Sequence, residues 1–140
     1  MADTSDIDAA IMKLLGADAT LLALMPNGVY WDVATDQMTR FVIVSQITHD
    51  DEDTFNRRSW EDLLYAVKAV GLSTTNPDMK AAAARIDALL HGATLTAPGY
   101  TTMLVVRESR DPCGKETDDV DPKVKWYHRG GHYRVLMSCD

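Results

Sequence analysis

The chain has 140 residues, 46% of them hydrophobic and 25% charged, and its formal net charge at pH 7 is −7. This length and composition predict one domain, residues 1–140, with a single core, and they exclude an extended disordered chain. The acidic excess argues against a nonspecific nucleic-acid-binding protein, which needs a basic face toward the phosphates. Since no apolar run approaches the ~20 residues of a membrane span, no membrane contact is expected.

The sequence shows no recognisable targeting signal and no redox motif. The N-terminus lacks the basic region and the small-residue cleavage site of a signal peptide. Cys113 and Cys139 have neither metal-binding nor redox-motif spacing, so both are expected as reduced thiols inside a cell.

The N-terminal region predicts two helices. Ser5–Gly16 carries an apolar stripe at helical spacing, and Ser5 with Asp8 has the spacing of a capping box. Asp18 is suited to cap a second short helix, which Pro26-Asn27-Gly28 ends. Such a terminus either docks on a neighbouring molecule or folds back on its own core, and the second interpretation is favoured.

Strands follow the two helices. Val29–Trp31 predicts a short strand, and Phe41–Thr48, rich in β-branched residues, predicts another. After His49 comes an acidic run: Asp50, Asp51, Glu52 and Asp53. One interpretation of this run is a metal site, since hard cations bind several oxygens. The run lacks the alternating spacing and the turn glycine of a calcium loop, so a solvated loop tip is favoured.

The central part of the chain contains one ambiguous segment and one clear helix. Arg58–Gly71 fits a helix by one spacing of its apolar residues and a strand by another. Asn76–Gly92 has an N-cap residue, an apolar stripe ending at Leu90 and a terminal glycine, so it predicts a helix that covers a sheet. The charged side chains that fall off this stripe are expected to face water: Lys80, Arg85 and Asp87.

The C-terminal third predicts two strands around an acidic loop. Met103–Arg110 has strand character, Asp111–Pro122 is a polar acidic loop, and Lys123–Cys139 returns to a strand pattern. Gly130-Gly131 is either a hairpin turn or a glycine bulge in one long strand. The four histidines have no zinc-ligand spacing, and no nucleophile with an adjacent base is recognisable. The residue pattern therefore identifies no catalytic, cofactor-binding or metal-binding residues, and the family resemblance described below implies that the protein is not an enzyme.

The order of elements resembles a known family. LLGADATLLALMPNGVYW leads into a strand, followed by YAVKAVG, ARIDALLHG, LVVRESR and HRGGHYRVLM. Over Asp6 to Met137 this arrangement resembles the tail completion, or tail terminator, proteins of long-tailed bacteriophages. The resemblance implies an α/β (α+β) two-layer fold, with helices on one face of a mainly antiparallel or mixed sheet of four to five strands. It also implies that Asp62–Val70 is a strand.

The resemblance further implies a role in the virion. Members of this family form a homo-oligomeric, hexameric ring at the head-proximal end of the tail, after assembly in the host cytoplasm. The ring binds the tail tube protein and a head-side neck or stopper protein, and it has no cofactor. DNA passes through its channel without specific binding. The acidic segment Asp50, Asp51, Glu52 and Asp53 is the candidate channel-facing or partner-facing loop, because negative charge avoids phosphate binding.

Two strands are predicted to provide contacts between protomers. The strands Phe41–Thr48 and Tyr133–Met137 are candidates for strand addition between protomers.

Three alternative functions are considered beside a tail terminator. They are a head-side neck protein (a stopper or connector adaptor), a small metal-dependent hydrolase that uses His49 with the acidic run, and a regulatory binding module.

Overall fold

The protein folds into three helices and five strands. The coordinates are a computed structural model that describes residues 4–32, 39–54, 57–73, 77–117 and 125–139. In chain order, the elements are α1 (Thr4–Gly16), α2 (Ala19–Leu24), β1 (Val29–Trp31), β2 (Arg40–Thr54), β3 (Arg57–Ser73), α3 (Pro77–Leu90), β4 (Tyr100–Thr117) and β5 (Lys125–Cys139). In the ranges described, every helix is too short or too polar to cross a membrane.

The strands form one mixed sheet in the order β1-β2-β3-β5-β4. β1 runs parallel to β2, and the β2–β3, β3–β5 and β5–β4 pairs are antiparallel. Buried residues of all three helices pack with alternate residues of the strands in one core. The predicted α+β fold with a mixed five-stranded sheet is therefore confirmed.

Segment Arg58–Gly71, which periodicity left ambiguous, belongs to strand β3. Every second side chain of its central part is fully buried: Leu63, Tyr65, Val67 and Ala69. β3 is hydrogen-bonded to β2 on one side and to β5 on the other. The period of two is explained by this central place in the sheet, where one face of the strand covers the core.

Helix α3 confirms the clearest sequence prediction. Its buried residues lie on one stripe: Met79, Ala82, Ile86 and Leu90. Gly92 has φ of +78°, the left-handed conformation expected after a helix end, while the proposed cap Asn76 lies outside the described residues. Arg85 and Asp87 lie off the buried stripe as expected and are partly exposed, but each also makes a polar contact within the chain. Arg85 pairs with Asp18, and Asp87 accepts a hydrogen bond from the hydroxyl of Tyr133.

Helices α1 and α2 fold back on the core, as the favoured interpretation predicted. Ile7, Ile11 and Leu15 of α1 are buried. Asp8, expected to form a capping box with Ser5, accepts a hydrogen bond from the hydroxyl of Tyr65 on β3. Burial, together with this contact, raises the pKa of Tyr65. The predicted N-cap of α2 is confirmed, since a carboxylate oxygen of Asp18 accepts a hydrogen bond from the backbone N–H of Leu21 at 2.8 Å.

The pairing of Asp18 with Arg85 predicts a pH effect on stability. Arg85 holds the pKa of Asp18 down, to about 2 from 3.8, with a smaller contribution from the Leu21 N–H. The ionised carboxylate therefore stabilises the fold above pH 3.8, and this stabilisation disappears as the pH falls toward 2. We expect Arg85→Gln to lower the free energy of unfolding more at pH 5 than at pH 2.5, measured by urea unfolding.

The control for this substitution is Lys80→Gln, which removes a positive charge from an exposed position of the same helix. Its pH profile should follow that of the wild type. Equal losses at both pH values for Arg85→Gln would contradict the proposed ionic contribution.

Strand β5 runs unbroken through Gly130 and Gly131. Its pairing with β3 continues in register across both glycines, so the hairpin turn is wrong. In the pairing of β5 with β4, the register shifts nearest the two glycines lie on β4, between Arg107 and Ser109 and between Asp111 and Gly114. β4 continues to Thr117, so the first half of the predicted loop Asp111–Pro122 is strand instead. An edge strand tolerates such extra residues, because only one of its sides must match a partner.

Gly130 is required by close contact between β5 and β3. A Cβ atom here would collide with the Val67 carbonyl oxygen and lie 2.7 Å from Cβ of Lys68. We expect Gly130→Ala to cost about 3 kcal/mol or more, because backbone atoms must separate. Gly16→Ala is the control, since its Cβ would have no neighbour within 4 Å. Equal unfolding temperatures of Gly130→Ala and Gly16→Ala would contradict this packing.

Candidate functional site

The acidic segment Asp50–Asp53 lies in strand β2 and not in a loop. Asp50 is opposite Asp62 of β3, and Asp51 is opposite Glu61. The prediction of a solvated loop tip is therefore wrong in its secondary structure, because the β2–β3 pairing continues to Thr54 and Arg57. Asp50 and Asp51 are exposed, whereas the side chains of Glu52 and Asp53 lie outside the described part of the chain.

Carboxylates that face each other across two strands repel and require compensation. The positive charge of the Arg134 guanidinium, on β5, compensates the carboxylate of Asp62. The same guanidinium lies 2.9 Å from a carboxylate oxygen of Glu108. Hydrogen bonds to these two carboxylates raise the pKa of Arg134 above its ordinary value. The acidic surface of the β2–β3 pair is thus fixed to the sheet by a cross-strand ion-pair network, and Asp50 is left to present its charge outward.

The open edges of the sheet agree only in part with the predicted ones. β5 lies between β3 and β4, so Tyr133–Met137 is an interior segment and is excluded as an edge. β1 covers β2 only along Val42–Val44. Within the described residues, the outer side of β2 beyond Val44 pairs with no strand, so the prediction of a Phe41–Thr48 edge holds only for the second half of that segment. β4 forms the opposite edge.

Each open edge exposes large apolar side chains at a β-bulge. On β2 the register shifts between Gln46 and Thr48, and Ile47 between them is 47% exposed. On β4 the register shifts at Met103, which is 53% exposed, and Leu104 beside it is 42% exposed. Apolar side chains displayed at an unpaired edge favour contact with another chain.

A basic groove of about 290 Å³ lies between α3 and the neighbouring strands β4 and β5. Its positively charged lining residues come from three elements: Lys80, Arg107, Arg110 and Arg129. Asp87 is the acidic lining residue, with a carboxylate oxygen 3.4 Å from Nη1 of Arg107. In a chain with net charge −7 this is a concentrated positive surface, suited to acidic groups of a partner.

A hydrogen bond connects two lining residues of the basic groove. The Tyr133 hydroxyl donates a hydrogen bond of 3.1 Å to Asp87. Burial is the main reason that the pKa of Tyr133 is raised, and the Asp87 carboxylate adds to it. A Cβ atom on Gly131 would lie 2.8 Å from the carbonyl oxygen of Ser109 and 3.1 Å from Cδ of Arg107, so the glycine permits the close approach of β4 here. No residue of this groove was singled out as a site by its sequence spacing.

The fold is shared with a protein of a virus-like particle. Over 96% of both chains, the structure aligns with a chain from the virion of a native gene transfer agent particle, with a TM-score of 0.69 and 18% identity. A second solved structure aligns over 95% of both chains with a TM-score of 0.58 and 16% identity. No protein-family model matches the sequence, and no curated protein matches it. These similarities establish the fold.

Proposed function

We propose that this chain is a structural protein of a phage-type virion that caps the head-proximal end of the tail tube as a ring. The observation that carries the proposal is the full-length similarity to a chain of the gene transfer agent virion. The order of elements, which resembles tail terminators, supports the more specific role. The ring stops tail polymerisation, provides the surface that joins the head, and performs no catalysis.

Two different open edges support ring formation. A closed head-to-tail ring needs two unlike surfaces on each subunit, since each interface joins one surface to the other. The strand order places the open part of β2, with Ile47, on one side of the sheet and β4, with Met103 and Leu104, on the other. In the proposed hexamer, the β4 edge of one subunit meets the β2 edge of the next.

The charge distribution supports a channel through which DNA passes. A basic lumen would hold phosphates and release counterions, so the duplex would be bound instead of passed. In the proposed ring, the acidic segment Asp50–Asp53 faces the channel or the tube, and the basic groove faces an acidic protein surface. The partners are the tail tube protein on one side and a head-side neck protein on the other.

A head-side neck protein, either a stopper or a connector adaptor, is the second candidate. The similarity to a virion chain favours it over a regulatory binding module, since a neck protein is also part of a particle. Its ring lies on the head side of the joint, next to the portal and away from the tube.

The location of the chain in the particle separates these candidates. Cryo-electron microscopy of purified virions is expected to place one ring of this chain in direct contact with the last tube ring. Copies in contact with the portal alone would support the neck protein instead. Copies distributed along the tail, or inside the head, would overturn both assignments.

A further inference from the structure

The pairing of β2 with β3 brings three metal-ligating side chains together: His49, Asp51 and Glu61. His49 and Asp51 are two residues apart on β2, and Asp51 lies opposite Glu61. The register shift at Ile47 is decisive here. Before it, even-numbered residues of β2 face the helices, and after it odd-numbered residues do, so His49 and Asp51 come to the face that carries Glu61.

The distances match a coordination sphere. Nε2 of His49 lies 3.3 Å from Oδ1 of Asp51 and 3.2 Å from Oε1 of Glu61. One ligand atom from each of the three residues lies within 4.8 Å of the other two. Around a zinc ion with bonds of about 2.0–2.2 Å, neighbouring ligand atoms are about 3.0–3.5 Å apart. An ion between the three atoms therefore needs little movement of the side chains.

Burial and charge favour a cation at this position. The side chain of Glu61 is fully buried, although it is a carboxylate. Ionised carboxylates in such surroundings require an opposite charge, a metal or strong hydrogen bonds. The side chains of His49 and Asp51 are 31% and 34% exposed, so the cluster opens to solvent on one side. A divalent ion entering from that side would lie beside both carboxylates and balance their charge.

We propose that His49, Asp51 and Glu61 bind a divalent transition metal of the zinc class, with water completing the coordination. An imidazole nitrogen with two carboxylate oxygens suits zinc better than magnesium or calcium, which prefer sites built from oxygens alone. The bound ion connects β2 to β3 at the start of the acidic segment and stabilises this pairing. Asp51 belongs both to this site and to the acidic segment, but neither the metal site nor the proposed role in tail assembly requires the other.

The sequence alone did not predict this site, because Glu61 lies twelve residues from His49 and within a different strand. The metal interpretation of the acidic run included His49 and Asp51 but not Glu61. Asp50 is not a member of the cluster and lies opposite Asp62, whose carboxylate pairs with Arg134.

The test is calorimetric titration of the full chain with zinc chloride, with magnesium chloride as the comparison. We expect one zinc ion per chain, at least tenfold weaker binding of magnesium, and an unfolding temperature raised by several degrees at a zinc concentration of about 100 times Kd. Glu61→Gln and His49→Gln should each weaken zinc binding at least tenfold. Asp50→Asn is the matched control, and its zinc affinity should equal that of the wild type.

Two results would overturn the site directly, and a third would count against it. One is a wild-type chain that binds no zinc. The other is zinc binding that persists unchanged in His49→Gln, which alters a partly exposed side chain and remains informative if Glu61→Gln fails to fold. Binding lost equally in Asp50→Asn would also count against the assignment, because it would indicate diffuse attraction to the acidic surface.

Discussion

Virions in which Asp50, Asp51, Glu52 and Asp53 are all replaced by lysine are expected to lose infectivity by at least 100-fold. Each substitution turns a negative charge into a positive one, and the proposed ring would repeat the change in every subunit. Lysines at the channel would bind DNA phosphates and release counterions, with a salt dependence that grows with each contact. The measurement is plaque titre after complementation of a deletion with the variant gene.

The matched control replaces the same four residues with asparagine and glutamine. This variant removes the negative charge without introducing a positive one, so we expect its titre to lie between those of the wild type and the lysine variant. Without added zinc, the purified lysine variant should keep its cooperative unfolding, since Asp50 and Asp51 are exposed. Wild-type infectivity of the lysine variant would refute a channel-facing or partner-facing role.

Replacing Met103 and Leu104 with lysine is expected to prevent ring formation while leaving the subunit folded. Both side chains are exposed in the isolated subunit, so the free energy of unfolding should change by only about 0.5 kcal/mol. Burying an unpaired charge at a subunit contact costs about 3 kcal/mol, roughly a 150-fold loss of affinity for each interface. The measurements are urea unfolding of the purified chain and the fraction of tails that carry a terminal ring.

Ala88→Lys is the control for this edge, because it places the same charge on an exposed position of α3. Its rings should form normally. A second test is Ile47→Lys on the opposite edge, which should reproduce the defect, since in the proposed ring the β2 and β4 edges meet. Normal rings with Met103 and Leu104 both replaced would show that β4 is not a contact surface.

The predictable part of the fold was the part governed by local pattern. The stripe and the terminal glycine of α3 placed that helix within two residues, and the Asp18 cap placed the start of α2. In segment Arg58–Gly71 the spacing of the apolar residues fits both a helix and a strand, so local pattern could not decide between them. Its pairing with β2 and β5 decides in favour of the strand, as the family resemblance implied.

The candidate assembly surfaces were harder to predict because they depend on pairing between distant segments. An acidic run with few apolar residues suggests a loop, yet the backbone of Asp50–Asp53 is held in a strand by its partner β3. The bulge at Ile47 reverses which residues face the core, and no local signal marks it. The basic groove combines side chains from α3, β4 and β5, so it exists only in the folded chain.

The length of tails assembled without this protein tests the central claim most directly. The gene would be deleted from the phage or prophage that carries it, and the released tails would be imaged by electron microscopy. The proposed function predicts overlong tails, or tails of normal length that fail to join heads, and restoration of normal virions by the wild-type gene. Tails of uniform, normal length already joined to heads would contradict the role as a tail terminator.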